Sequence, residues 1–339
     1  MRAAGSRAIQ CDGVLTVTDT HYRHLKQAAD WYALLCDETV DESQRAAWRR
    51  WLEQDPAHRK AWSVVEKVGE RFEPFREESH RKPAYDALRA PDMASIGRRR
   101  ALLSLGVLAV AGLAGWRTLR DTPLADHLAA LTTDYATGTG ERRELALADG
   151  SRAWLNTLSA LDIDYGPRQR LLHLRTGELL LEASRDPRGP LRVTTRHGEV
   201  AGEGATFGLC HQAGGLCVSV FSGTVDILNG AGARARLEQG RQLTFSASGP
   251  LGPPLPVEAA RRSWSKGVYV AEGVSLQRFV EELGRHRHGY LGCSPEVAAL
   301  RVVGSFPLAD TERALDMLPL ALPVRIRRVM PWWVSIEAA

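Results

Sequence analysis

Apolar positions along this chain follow three different patterns in turn. The first has helical spacing. From Asp19 onward Leu25, Ala28, Ala29, Tyr32 and Leu35 recur on one face, with Trp31 beside them. Asp41 followed by Gln44 has the form of a capping box and opens a second helix carrying Trp48, Trp51 and Leu52. Asp55-Pro56 restarts the chain, with Asp55 as N-cap and Pro56 at the first helical position. Ala61, Val64, Val65 and Val68 then line one side of a third helix, with Trp62 adjacent, and a fourth short helix follows through Phe72 and Phe75. Residues 19–80 therefore read as a small all-α bundle, near the lower size limit for independent folding. Residues 1–18 show no pattern and read as a disordered N-terminus.

The second pattern is one unbroken run. From Ala101 to Trp116 no side chain is charged. As a helix, residues 101–119 would cover about 28 Å, close to the hydrocarbon thickness of a bilayer. Arg98, Arg99 and Arg100 precede the run and Trp116 closes it, flanks that favour a transmembrane helix over a buried core helix. Arg81, Lys82, Arg89 and those three arginines lie on the N-terminal flank, against only Arg117 and Arg120 beyond it. This asymmetry predicts a cytoplasmic N-terminal part and a C-terminal part outside. Arg99-Arg100 before Ala-Leu-Leu also has the form of a twin-arginine export signal, placed internally. Residues 81–100, with Pro83 and Pro91, read as a linker to the span.

The third pattern has a period of two. Runs at 144–148 and 151–155 flank Asp149-Gly150, a hairpin signal. Runs at 161–165, 170–174, 179–183, 191–195, 205–210, 218–221, 225–228 and 242–245 continue it. Residues 127–250 are expected to form an all-β domain, either a sandwich or a short solenoid. After a Pro/Gly-rich break the order becomes βαββαββ. Ser275 and Asp310 open the two helices, so residues 257–339 read as a C-terminal α/β module.

Composition narrows the function. A net charge of +4 over 339 residues does not point to nucleic acid. No Gly-x-Ser-x-Gly, phosphate loop or metal-ligand cluster occurs. Gly138-Thr-Gly140 and Gly202-Glu-Gly204 read as turns. His286 and His288 fall at a helix end, where positive side chains suit the dipole. No catalytic residue, cofactor or metal is expected, and the chain does not read as an enzyme. Four of the nine tryptophans, Trp31, Trp48, Trp51 and Trp62, lie in the small bundle. They either fill its core or face outward to anchor a partner. Cys11 and Cys36 fall on the cytoplasmic side. Cys210, Cys217 and Cys293 fall outside, where disulfides persist. A loop at 212–215 would set Cys210 and Cys217 opposite one another on a hairpin, about 5.5 Å apart at Cα and within bridging range. They form a candidate disulfide, with two free thiols as the alternative.

Three regions resemble one family, the FecR-type transmembrane regulators of cell-surface signalling. The first is Ala-Ala-Asp-Trp-Tyr-Ala-Leu-Leu at 28–35, with Trp51-Leu52 and Asp55-Pro-Ala-His-Arg-Lys-Ala-Trp62, similar to the family's cytoplasmic anti-sigma segment. The second is Leu147-Ala-Asp-Gly-Ser-Arg-Ala-Trp-Leu-Asn156, Gly177-Glu178 and Val218-Ser-Val-Phe-Ser-Gly-Thr-Val-Asp226, similar to its periplasmic β-domain. The third comprises residues 264–270, Leu283-Gly-Arg-His-Arg-His-Gly289 and Val303-Gly-Ser-Phe-Pro-Leu308. It resembles the module shared with the short N-terminal domains of secretins and TonB-dependent proteins.

The resemblance implies a single-pass inner-membrane anti-sigma factor. Its bundle would hold an extracytoplasmic-function sigma factor, with Trp31, Trp48, Trp51, Trp62, Asp55 and Pro56 as candidate contacts. Its outer part would meet the signalling domain of a TonB-dependent receptor occupied by an iron chelate. Membrane-associated proteases would then free the sigma factor. Rival readings are an activator of the sigma factor and a membrane-anchored scaffold of a secretion apparatus. Some members of the family cut themselves at a Gly-Thr pair followed by x-Phe. The matching stretch here is Gly204-Ala205-Thr206-Phe207, with a methyl group where the attacking hydroxyl should be. The resemblance therefore implies an uncut chain.

Overall fold

The computed structural model describes residues 19–36, 40–70, 72, 133–167, 169–249 and 251–339. The expected N-terminal tail 1–18, the linker 81–100 and the span 101–119 lie outside them, as does most of the expected fourth short helix. Among the described residues no helix is long and apolar enough to cross a membrane.

Among the described residues three helices form the N-terminal bundle: α1 (Asp19–Leu35), α2 (Glu42–Gln54) and α3 (Pro56–Glu70). Their starts follow local chemistry. Gln44 N donates to Asp41 Oδ1 at 2.8 Å, and Asp41 N donates to Gln44 Oε1 at 2.9 Å, the reciprocal capping box. Asp55 Oδ1 accepts from Ala57 N at 2.7 Å, at the first turn of the proline-led α3. Leu25, Ala28, Ala29, Trp51, Ala61 and Val65 close the centre. Val64, expected on the inner face, is instead exposed, because His58, Ala61, Val65 and Gly69 already fill the inner stripe of α3.

The all-β region is a sandwich of two seven-stranded sheets. One runs β1 (Tyr135–Ala136), β4 (Ala160–Tyr165), β5 (Arg170–Thr176), β7 (Leu191–Thr195), β8 (Gly198–Gly202), β11 (Thr224–Asn229), β12 (Arg234–Glu238). The other runs β14 (Leu255–Pro256), β13 (Arg241–Phe245), β10 (Gly215–Ser222), β9 (Ala205–Gln212), β6 (Glu178–Ala183), β3 (Arg152–Leu155), β2 (Arg143–Ala146). Neighbours are antiparallel except β5 and β7. Leu172, Val193, Val200 and Ile227 of the first sheet meet Leu155, Leu181, Phe207 and Val218 of the second in a single core. Four strands escape the hydrophobic pattern, and two of them, β1 and β14, are only two residues long. β8 begins and ends on glycine with one buried valine between, and β12 alternates arginine with Ala235 and Leu237.

Residues beyond 257 carry a short helix α4 (Ala260–Ser263), then β15 (Val268–Ser275), α5 (Leu276–Gly284), β16 (Tyr290–Cys293), β17 (Arg301–Pro307), α6 (Thr311–Asp316), α7 (Leu318–Ala321), β18 (Val324–Met330) and β19 (Trp333–Ala338). β15 pairs with β17 alone, while β16, β19 and β18 form a second small sheet. Ser275 and Asp310 cap α5 and α6 through Arg278 N at 3.3 Å and Arg313 N at 2.9 Å.

A fully buried ion pair fixes the Asp149-Gly150 hairpin to the sandwich. Arg170 Nη1 donates to Asp149 Oδ2 at 2.6 Å and to the Ser184 carbonyl at 3.0 Å. Burial pushes the Asp149 carboxyl up, but hydrogen bonds from Ser151 and Arg170 outweigh it and hold the group below its ordinary range. Removing one partner strands a buried charge, so Arg170→Ala should cost about 3–5 kcal/mol in urea unfolding followed by circular dichroism. Because the folded carboxyl is depressed, the pair stabilises above the unfolded aspartate pKa of about 3.9 and loses that contribution as pH falls through the folded value. The gap between parent and variant should therefore narrow in acid.

Candidate functional site

The tryptophans of the bundle divide by role. Trp51 is 8% exposed, stacks on His58 with ring centroids 4.3 Å apart, and donates from Nε1 to Gln27 Oε1 at 3.2 Å. It belongs to the core. Trp31 lies tilted against it at 6.5 Å. Trp48 and Trp62 are half-buried and meet at 4.9 Å, and Trp62 continues to Tyr32 at 5.7 Å. A Cβ on Gly69 would fall 2.3 Å from Tyr32 Oη, so only glycine lets that ring lie across α3. Together Tyr32, Trp48, Trp62 and Phe72 form an aromatic groove shared by the three helices. Asp55 and Pro56 stand apart from it at the α2–α3 junction. The Asp55 carboxylate caps α3, and Pro56 is exposed.

The groove is not empty. Trp332, in the β18–β19 turn, stacks on Phe72 at 5.7 Å and meets Tyr32 edge-on at 5.5 Å. Trp333 lies behind it, stacked on Tyr290 at 4.0 Å. Around these rings Arg327 Nη2 donates to Asp30 Oδ1 at 2.6 Å, and Lys26 Nζ lies 2.9 Å from Glu337 Oε1. Burial pushes Glu337 up, but bonds from Lys26 and Arg325 hold it below its ordinary range. No feature of the sequence pointed to this contact.

A second arrangement joins the sandwich to the C-terminal module. Glu178, in the expected Gly177-Glu178 motif, is buried. It accepts from Asn156 Nδ2 at 2.8 Å and from Arg285 Nη1 at 3.2 Å. Arg285 also reaches Glu282 Oε2 at 3.1 Å. Burial raises Glu282, but the charges of Arg285 and Arg261 outweigh it and hold the carboxyl low. His286 corrects the sequence reading. It is buried, and desolvation together with Arg285 lowers it to about 4, so it is neutral rather than a cation suited to a helix end. Its neighbour His288 packs edge-on against Phe72 instead.

Cys210 and Cys217 do stand directly opposite in the β9–β10 register. Phe207, Leu209, Val218 and Val220 occupy the core face, and both sulfurs lie on the other. Both are free thiols. Arg261 Nη1 lies 3.7 Å from Cys210 Sγ, while Cys217 Sγ faces Ser219 Oγ at 3.9 Å. Burial pushes the Cys210 thiol well above its ordinary range. Beside the same module, the edge of β15 away from β17, where Val270 N donates to Ser263 Oγ at 3.2 Å, borders a cavity of about 570 Å³. Phe221, Val257, Val268, Val270, Arg262 and Lys266 line it.

Comparison with known proteins agrees with the motif resemblance. The family model "FecR protein" matches residues 133–226, and "Domain of unknown function (DUF4880)" matches residues 26–68. The likeness to FecR-type regulators thus holds over two separate segments. Two crystal structures of "a putative anti-sigma factor from Parabacteroides distasonis ATCC 8503", at 1.65 and 2.50 Å resolution, share the fold with TM-scores of 0.51 and 0.50. Each is 20% identical and covers 60% of this chain and 98% of the other. No curated protein matches.

The two classes of tryptophan should separate experimentally. Trp51→Ala should cost about 3–5 kcal/mol and abolish the helical circular dichroism of the bundle. Trp62→Ala should leave the helices formed.

Proposed function

We propose that this chain is a transmembrane anti-sigma factor of a cell-surface signalling system. The observation that carries the reading is the aromatic groove of a small capped bundle, in the segment matched by DUF4880, ahead of the segment matched by FecR. Half-buried tryptophans packed on an apolar core have the chemistry of interface hot spots. An extracytoplasmic-function sigma factor would lay an apolar helix into this groove. Trp48 and Trp62 supply the contact surface, Trp31 and Trp51 hold its floor, and Asp55 and Pro56 set the angle of α3.

Residues 101–119 would cross the inner membrane and leave the sandwich and the module in the periplasm. There the edge of β15 away from β17 and its adjoining cavity would receive a segment from the signalling domain of a TonB-dependent receptor, displacing the Ser263 hydroxyl from Val270 N. Occupancy of that receptor by an iron chelate would be the signal, and membrane-associated proteases would release the bundle with its sigma factor.

Two experiments test this reading. Affinity capture of the full chain from its own cells should recover an extracytoplasmic-function sigma factor. Trp62→Ala should weaken that capture by about 2 kcal/mol, roughly thirtyfold, with the bundle still helical. A folded chain that captures no sigma factor counts against the proposal. Deletion of the gene should raise sigma-dependent transcription if the chain inhibits and abolish it if the chain activates.

The chain should also remain in one piece until a separate protease acts. Gly204 has φ +58°, and Ala205, which follows it, carries no hydroxyl. Thr206 is held within β9, its N–H donating to Ser222 Oγ at 3.2 Å. An immunoblot against a C-terminal epitope in uninduced cells should show the full-length band alone.

A further inference from the structure

The β18–β19 turn is built to hold Trp332 outward. Tyr290 N donates to the Trp332 carbonyl at 2.7 Å, and Arg287 Nη2 lies 3.5 Å from the Pro331 carbonyl. Gly289 has φ +95°, and a Cβ there would fall 2.2 Å from the Trp332 carbonyl oxygen. Glycine is required for that approach. Trp333 locks the base of the turn against Tyr290. Trp332 therefore leaves the module as a braced aromatic side chain, yet it is only 7% exposed, because Phe72 and Tyr32 enclose it. The rim is charge-matched, with Asp30 against Arg327 and Lys26 against Glu337. Tyr22 Oη adds a donor 3.5 Å from Glu337 Oε1.

We propose that this turn is an internal occupant of the bundle's aromatic groove, closing it to other partners whenever bundle and module share one compartment. The contact itself rests on the geometry above. What the groove is closed to rests on the proposed sigma-binding role. A bundle touching Trp332 and a membrane crossed between residues 72 and 133 exclude one another in one molecule. Crossing the membrane would therefore pull Trp332 out of the groove and expose Tyr32 and Phe72. On this view the regulator becomes competent to hold a sigma factor only once its module has been exported. A chain that fails to insert stays closed and leaves the sigma factor unbound.

The test uses the full chain made by cell-free synthesis, with its five native cysteines changed to serine. New cysteines are placed by Asp30→Cys and Arg327→Cys, and a site-specific protease sequence is inserted after Ser95. A short bismaleimide is added, and the chain is then cut. Without membranes the two pieces should stay joined. Phe72→Ala, on the bundle side, should lower the joined fraction roughly tenfold without touching the module, the scale expected for loss of an aromatic anchor. In chains inserted into inner-membrane vesicles and resistant to carbonate extraction, the pieces should separate. Joining no better than with Asp30→Cys alone in the absence of membranes would overturn the proposal. Joining that persists in inserted chains would leave the contact standing and overturn the membrane placement instead.

Discussion

Strand β6 is buried on both faces, and the C-terminal half of the molecule depends on that constraint. Leu179 and Leu181 point into the sandwich core, while Leu180 packs with Trp264, Phe279 and Leu283 of the following module. A strand of six residues thus belongs to two cores at once. Trp154 of β3 and Phe221 of β10 pack against the second core from the same outer face. The period of two makes this possible, because successive side chains leave opposite sides of a sheet. It also makes the register strict. A slip of one residue would exchange the two cores and bring Glu178 into the first.

Placing Glu178 at such a junction calls for partners, because an isolated buried carboxylate is costly. Asn156 supplies one hydrogen bond from within the sandwich, and Arg285 supplies another from the end of α5. The motif residues Asn156 and Glu178 therefore orient the module as well as the β-domain. Asp149 serves a different purpose in the same motif. Its pair with Arg170 is confined to the sandwich and ties a hairpin turn to the β5 strand. The two ionic groups show how one short motif can stabilise a fold and fix its neighbour through separate side chains.

What could be read from the sequence was local. Asp41 with Gln44, Asp55 with Pro56, and Ser275 and Asp310 all act on backbone groups within three residues of themselves, and each caps its helix where the pattern placed it. The opposition of Cys210 and Cys217 was legible for the same reason, since a tight turn fixes the register on both sides of it. What could not be read depends on what lies across a gap in sequence. His286 looked like a surface cation because its helix end was visible and the turn around Gly140 that packs against it was not. Val64 fitted the helical stripe, but the inward positions of α3 are taken by His58, Ala61, Val65 and Gly69. β8 and β12 carry too few apolar residues to show a period, and they form because the strands beside them supply hydrogen-bond partners. The seat of Trp332 has no local signature at all. Phe72 and Trp332 are linked only by the fold.

On the proposed reading one aromatic groove would serve two occupants, because its chemistry is general. Offset and edge-on ring contacts tolerate changes of angle that a hydrogen-bonded pocket would not, and each contributes about 0.5–1.5 kcal/mol beyond burial. The rim pairs differ: Arg327–Asp30 is partly exposed, where such a pair is worth about 1 kcal/mol or less and sets orientation more than affinity, whereas Lys26 reaches a buried Glu337. Within one chain a weak contact is enough. Both sides are tethered, and effective concentrations in the millimolar range hold an association that separate molecules would not sustain. A free partner must therefore bind far more tightly than Trp332 does to enter while the turn is seated. It needs no such advantage once the turn has been removed to another compartment. Selectivity between the two states would then come from geometry, with the groove unchanged and only its internal competitor relocated.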